Sequence, residues 1–147
     1  MSFDITNDHS AGYWAAHVLG CGYFEGGSRS LGLKRNGQYV AAVIYECWNG
    51  KSVVCHIAAD GRMTPAYIAA IFDYPFNVCC VSKIICPVSS DNSQCLKFVR
   101  SLGFTEEARL KDVTPDGDSV LFTMTREACR FIKERYGKKL TFATATA

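Results

Sequence analysis

Residues 83–126 read KIICPVSSDNSQCLKFVRSLGFTEEARLKDVTPDGDSVLFTMTR, and the order of signals inside this stretch decides the fold. Ile84-Ile85-Cys86-Pro87-Val88 is an apolar run of strand length. Ser89, Ser90 and Asp91 then offer helix-capping oxygens. Cys95, Phe98, Val99 and Leu102 recur at i, i+3, i+4 and i+7, one face of a helix. Gly103 stands where a left-handed residue closes a helix, and Phe104 can fold back on the last turn. A polar strand, the turn Thr114-Pro115-Asp116-Gly117 and an apolar strand follow. The unit is a buried strand, a helix and a hairpin.

Upstream lies a meander. Two Asn-Gly pairs, Asn36-Gly37 and Asn49-Gly50, are hairpin signals joining strands at Leu31–Lys34, Gln38–Trp48 and Lys51–Ala59. On the central strand Val40, Ala42, Ile44, Glu46 and Trp48 alternate with Tyr39, Ala41, Val43, Tyr45 and Cys47. Both sets are mostly apolar, so the sheet is expected to be covered on both faces. Before it, Phe3-Asp4-Ile5 suits a short first strand. Asp8, His9 and Ser10 can cap a helix holding Tyr13, Trp14, His17 and Val18, with Trp14 read as core. Glycines 20, 22, 26 and 27 make a loop there, in which Tyr23 and Phe24 suit a mobile segment beside a substrate. Thr64-Pro65 starts a helix that Pro75 kinks or ends. Thr125 is expected to cap a last helix, Glu127–Tyr136, stopped by Gly137. Residues 141–147 read as a disordered tail.

The bulk numbers narrow the classes. A chain of 147 residues, 48% hydrophobic and 20% charged, is expected to form one domain over residues 1–140 with a sizeable core. A net charge of +2 gives no dense basic face for nucleic acid. No apolar run reaches membrane-spanning length. The eight cysteines show neither a C-x-x-C pair nor metal-ligand spacing with His9, His17 or His56. Cys47, Cys55, Cys79 and Cys86 lie in apolar runs and read as reduced core thiols of a cytoplasmic protein.

Asn92, Cys95, Phe98 and Leu102-Gly103-Phe104 resemble, at its spacing, the N-x-x-A/S-x-x-F/L-x-x-x-L-G-F signature of the GNAT acyl-CoA N-acyltransferases. Glu107-Ala108-Arg109 followed by Asp116-Gly117-Asp118 is similar to the E-G-x-x-R and D-G-x-D segments of the branch that acetylates ribosomal-protein N-termini. Ala108 replaces a Gly of that pattern and Lys111 an Arg. The nearest group is small phage-type GNAT proteins. The resemblance implies an α/β fold whose central, mostly antiparallel sheet of six to seven strands splays at one parallel pair, with helices on both faces. That pair falls between the strands ending near Ala59 and Val88.

The resemblance also implies acetyl-CoA as co-substrate and an amine acceptor. The cofactor-binding positions it marks are Ile57, Ala58, Gly61, Arg62, Met63, Thr64, Ala66, Asn92, Cys95 and Phe98. Its pyrophosphate loop would be Ala59-Asp60-Gly61-Arg62-Met63, running into the helix start where backbone N–H groups receive an anion. The loop departs from the family's two-glycine pattern, and Arg62 adds a cation. The abbreviated region after the first helix leaves the acceptor side either open or completed by a second copy in a homodimer.

Proton transfer needs a titratable group, and the candidates are Glu46, His56 and Ser101. A Glu among apolar strand residues is expected to be buried, which calls for a reason. The family's Tyr acid position falls on Val99. With a two-residue Asn49-Gly50 turn, Glu46 pairs with Val53 and Val43 with His56. Glu46 and His56 then point to opposite faces unless a bulge intervenes. Two functions from different classes remain: transfer of an acetyl group to an amine of a protein or small molecule, and a catalytically weak CoA-binding protein that acts by binding a host protein.

Overall fold

The strands are β1 (Phe3–Thr6), β2 (Arg29–Arg35), β3 (Gln38–Glu46), β4 (Ser52–Ala59), β5 (Lys83–Ser89), β6 (Thr105–Thr114) and β7 (Gly117–Thr125). They form one sheet in the order β1-β2-β3-β4-β5-β7-β6. Helices α1 (His9–Leu19), α2 (Pro65–Asp73) and α3 (Ser93–Leu102) connect them. The computed structural model describes residues 2–133. The tail at 141–147 and the end of the helix expected over Glu127–Tyr136 lie outside the described residues. Among the described residues no helix is long and apolar enough to cross a membrane.

The sheet is antiparallel except between β4 and β5, as the sequence led us to expect. These two pair only at Ser52↔Lys83, Val53↔Ile84 and Val54↔Ile85. Both strands then continue, to Ala59 and Ser89, without pairing to each other. Pro87, which has no N–H to donate, sits in β5 just beyond the last pair, where β4 asks for none. The parting of β4 from β5 is the feature that shapes the site.

Helices cover both faces. On one, Ala11, Ala15 and Ala16 of α1 pack on Ala42, Ile44 and Ala58. A Cβ on Gly32 would lie 2.6 Å from the Ala11 Cβ, so helix and sheet meet at near-backbone distance. This corrects the expected helix face. Small residues form the contact, while Tyr13 and Val18 are half-exposed and His17 is exposed. Trp14 is only partly buried, tilted against Tyr39. On the other face Leu33, Val43, Tyr45, Val53, Cys55 and Ile57 form the main core with Tyr67, Ile71 and Phe72 of α2 and Val99 and Leu102 of α3. Helix α2 begins at its predicted cap, Thr64, whose Oγ1 accepts the Tyr67 N–H (3.2 Å), whereas α3 is capped not by Ser89, Ser90 or Asp91 but by the next residue, Asn92, whose Oδ1 accepts the Cys95 N–H (3.1 Å).

Three further expectations change. At Pro75, α2 gives way to a single π turn, Tyr74–Val78, which buries Phe76. Beyond β7, Thr125 Oγ1 does accept the Ala128 N–H (3.2 Å), but a turn and a short 3-10 segment, Arg130–Ile132, follow instead of a helix starting at Glu127. That path lets Phe131 stack on Phe72, with centroids 4.9 Å apart. All eight cysteines are free thiols. Cys55 and Cys86 are buried as expected, but Cys47 is exposed.

The largest change concerns the β3–β4 connection. The Asn36-Gly37 turn is the two-residue hairpin its sequence announces, with Arg35 opposite Gln38. The Asn49-Gly50 connection is not. Glu46 pairs with Val54 and Ile44 with His56, one residue off the expected register. Cys47 takes a left-handed conformation (φ 57°), and Asn49 Oδ1 accepts the N–H groups of Lys51 (2.9 Å) and Ser52 (2.8 Å). These amides would otherwise extend the ladder. Trp48 is turned out, its indole N–H bonding Cys79 O at 3.0 Å. A one-residue shift moves every side chain of β4 to the other face. Glu46 and His56 therefore share a face without any bulge between them.

Candidate active site

Where β4 and β5 part, a cleft of about 650 Å³ opens. One wall is Ile57, Ala58, Ala59, Asp60 and Gly61. The other is the start of α3, with Asn92, Gln94, Cys95 and Phe98, and the end of α1 contributes Val18 and Leu19. The helical period explains the second wall. Val99 and Leu102 of α3 are buried in the core, while half-buried Cys95 and Phe98 turn toward the opening. Burial pushes the Cys95 thiol up to about 11, with a smaller contribution from Cys86, so it lines the cleft as a neutral thiol rather than a nucleophile. A Cβ on Gly61 would press on Val40 at 3.2 Å, which keeps that loop low against the sheet.

Glu46 and His56 are not among the residues that line this cleft, but the corrected register brings them together on β3 and β4, His56 one residue before the cleft-lining Ile57. His56 Nε2 lies 2.6 Å from Glu46 Oε1. Their side chains are 22% and 32% exposed, so Glu46 is not the buried carboxylate its apolar strand suggests. It is open to water and held by one imidazole. Cys21, just beyond α1, sits within electrostatic reach: burial first, then the Glu46 carboxylate, push its thiol up. The loop after α1 thus runs beside the pair. Tyr23 of that loop is fixed, its hydroxyl 2.5 Å from His9 Nδ1 and its ring filling the notch left by Gly12. Phe24 is 74% exposed.

No family model matches the chain, and no curated protein sequence matches it. Solved structures do. Mutant forms of the spermidine/spermine N-acetyltransferase SpeG from Vibrio cholerae superpose with a TM-score of 0.69 at 12% identity, covering 95% of this chain and 99% of theirs. The Vibrio cholerae spermidine N-acetyltransferase in complex with CoA and spermine gives 0.62 at 17% identity, over 73% of this chain and 69% of that one. Its dodecameric form in an intermediate state gives 0.68 at 13% identity, over 85% and 94%. The chain has the GNAT fold.

Set in the GNAT fold, the candidate residues separate into groups. Ile57, Ala58, Gly61, Asn92, Cys95 and Phe98 line the cleft together. Arg62, Met63, Thr64 and Ala66 follow Gly61 in the chain and are not among the residues that line the cleft. Arg62 is exposed, and Met63 packs partly on the core. The Thr64 hydroxyl is used as the helix cap, and Pro65 carries no N–H. The anion capacity of this helix start rests on the Ala66 amide and the loop before it. Ser101 is not among the cleft-lining residues. It is exposed at the end of α3, where its hydroxyl donates to Phe98 O at 2.6 Å. Val99 is fully buried in the core, so no side chain at that position reaches the cleft.

Sequence reasoning placed Ala59 and Asp60 in the expected phosphate loop but missed Gln94, Val18 and Leu19 of the cleft and Cys21 beside the pair. The end of α1 had a signal in Gly20, which closes the helix in the left-handed conformation (φ 71°). Nothing local in the sequence shows that this end reaches across to α3. The hairpin motif Asp116-Gly117-Asp118 acquires a structural meaning. Asp118 accepts the Asp112 N–H (2.9 Å), Asp118 N–H bonds Ser90 Oγ (2.9 Å), and a Cβ on Gly117 would collide with that hydroxyl. The hairpin tip thereby braces the loop that carries Asn92.

Proposed function

We propose that the protein is an acetyl-CoA-dependent N-acetyltransferase that acetylates a primary amine of a protein or small molecule by direct attack. The observation that carries this reading is the parting of β4 from β5 beside a Glu46–His56 pair. A strand whose edge is left free must satisfy its backbone groups elsewhere, and an extended pantetheine arm with two amides suits it. The cleft volume lies in the range of small-ligand sites. Ile57, Ala58 and the start of α3 would hold the arm. The Gly61–Ala66 segment, with Arg62, would face the phosphates.

Bound acetyl-CoA would supply an activated acyl carbon and a thiolate leaving group. Glu46 and His56 contribute the proton handling. An incoming ammonium must lose a proton before its nitrogen can form the new C–N bond. Glu46, open to water and hydrogen-bonded to His56, can take that proton directly or through a water. His56 fixes the carboxylate and can share its charge. As the C–S bond breaks, the thiolate takes a proton, and solvent supplies it where Val99 offers none.

That same Val99 supports a second reading, a CoA-binding protein with weak catalysis that acts by binding a host protein. Two measurements test the readings, and the second separates them. Calorimetric titration with acetyl-CoA should show binding in both. Release of free thiol with a panel of amines, followed by mass detection of the acetylated product, should occur only in the first. Absence of acetyl-CoA binding would rule out both.

A further inference from the structure

We propose that Cys79 and Cys80 form a modification site, a vicinal dithiol that small organic disulfides oxidise, and that closing its disulfide releases Trp48 and displaces the Glu46–His56 pair. The effect on turnover rests on the acetyltransferase reading above. The two cysteines lie between the π turn Tyr74–Val78 and β5, outside any ladder. Cys80 is exposed and Cys79 half-buried. Neither lines the cleft, and the transfer chemistry uses neither.

The backbone between them cannot hold its present path once the ring closes. Cys79 sits at ψ −11° and Cys80 at φ 56°. Across a trans peptide these angles send the two Cβ atoms to opposite sides of the peptide plane. A disulfide needs Cβ atoms about 3.5–4.5 Å apart, which neighbours across a trans peptide reach only on the same side. The chain is anchored on either flank, by the Cys79 N–H on Tyr74 O (2.9 Å) and the Val81 N–H on Pro75 O (3.1 Å). The rotation therefore falls on the bonds flanking the 79–80 peptide, and the Cys79 carbonyl moves. Cys80 leaves a left-handed conformation that is unfavourable for an L-residue.

That carbonyl anchors the β3–β4 connection. It accepts the Trp48 indole N–H at 3.0 Å, while the Cys80 N–H donates to none of the described residues. Trp48 stands just past Glu46, which ends β3. On the β4 side the Ser82 N–H holds Lys51 O (2.8 Å), so Trp48 is the tie on the Glu46 side. Losing it frees the segment that sets the register of Glu46 against His56.

The chemistry is thiol–disulfide exchange with a disulfide RSSR. Cys80, deprotonated by solvent, attacks one sulfur, and RS⁻ leaves. The Cys79 thiolate then attacks the Cys80 sulfur of the mixed disulfide, and the second RS⁻ leaves. Both leaving groups take up the released protons as RSH. One S–S bond breaks and one forms, so the cysteines are oxidised as RSSR is reduced. Burial pushes the Cys79 thiol up, which makes its step the slower one.

The test treats the full chain with oxidised glutathione. Tryptic fragment 63–83 contains Cys79 and Cys80 and no other cysteine. We expect this fragment to lose both thiol hydrogens, the His56 ring signals to move by NMR, and turnover to fall by about tenfold, with recovery in dithiothreitol. Cys79→Ser and Cys80→Ser should each hold turnover within a factor of about two under the same treatment. Trp48→Phe lacks the indole donor. It should lose about tenfold without oxidant and little more with it. A fragment that keeps its thiols, or stops at a mixed disulfide, would overturn the proposal. So would a closed disulfide that leaves turnover and His56 unmoved, equal losses in the serine variants, or a fully active Trp48→Phe. If the reduced chain acetylates no amine, the acetyltransferase reading fails by itself. The His56 signals then decide the site, and their staying put on oxidation overturns it.

Discussion

Strand β4 has two edges that behave differently. Toward β3 it is paired at six positions, from Ala41↔Ala59 to Glu46↔Val54. Toward β5 it is paired at three and then released. The held edge fixes side chains: it sets Glu46 and His56 on one face, 2.6 Å apart. The released edge fixes nothing and leaves backbone groups open to a ligand. Rigid placement of reacting groups and room for an extended cosubstrate are opposing demands, and one strand meets both by treating its two neighbours differently.

The largest expected effect tests the held edge. Glu46→Gln keeps the shape and removes the base. Turnover should fall by about 10²-fold or more, with acetyl-CoA affinity unchanged. His56→Gln should fall by a comparable factor. The double variant should be little worse than either single one, because paired groups that act as a unit are not additive. Full turnover in both single variants would mean that the held edge serves structure alone and that solvent deprotonates the amine.

The released edge is tested by filling what it opens. Gln94 lies exposed at the start of α3 and lines the cleft. Gln94→Trp should weaken acetyl-CoA by about tenfold without lowering Tm, a loss of binding rather than of fold. Arg62→Glu should weaken it less, and added salt should recover part of the loss, since an exposed charge is screened. Insensitivity to both changes would place the cosubstrate outside this cleft.

Much of this architecture was legible. The apolar run 84–88, the cap Thr64, the Gly103 stop and the Asn36-Gly37 turn each act through local physics, and each appears where its sequence puts it, while the cap of α3 falls on Asn92, just past the expected Ser89, Ser90 and Asp91. The splay was legible only through the family resemblance of the Asn92–Phe104 unit. Pro87 hinted at it, but a proline in a short apolar run marks no particular neighbour. The Glu46–His56 pair was misread for a specific reason. Asn49-Gly50 looks like Asn36-Gly37, yet the Asn49 side chain takes two ladder amides and Trp48 is tied to Cys79, distant in sequence. A tertiary contact overrode turn chemistry and moved the register by one.

A smaller effect concerns the loop that faces the released edge. Asn92 caps α3 with its carbonyl oxygen while lining the cleft. Asn92→Ala should cost about 1 kcal/mol of stability, the usual worth of such a cap. Asn92→Asp should retain the cap but place a negative charge in the cleft. If Asn92 serves only the helix, Asp will bind acetyl-CoA as wild type does. If it also meets the cosubstrate, Asp will restore stability and not affinity.

The smallest effect tests how the held edge keeps its register. Cys47 is exposed and sits at φ 57°, a conformation that costs an L-residue roughly 1–2 kcal/mol. Glycine reaches it freely but loses about 0.5–1 kcal/mol more backbone entropy on folding. Cys47→Gly should therefore raise stability by at most about 1.5 kcal/mol, seen as a small rise in Tm, and leave turnover unchanged because the same backbone path is kept. Cys47→Val is the informative contrast. A β-branched side chain resists this conformation most strongly. It pushes the connection toward the two-residue Asn49-Gly50 turn, the register that would set Glu46 opposite Val53 and turn His56 to the other face. Loss of Tm and turnover together in Cys47→Val, beside a neutral or stabilised Cys47→Gly, would show that one left-handed residue holds the pair together. Unchanged Tm and turnover in Cys47→Val would assign that task to the Asn49 hydrogen bonds and the Trp48 tether instead.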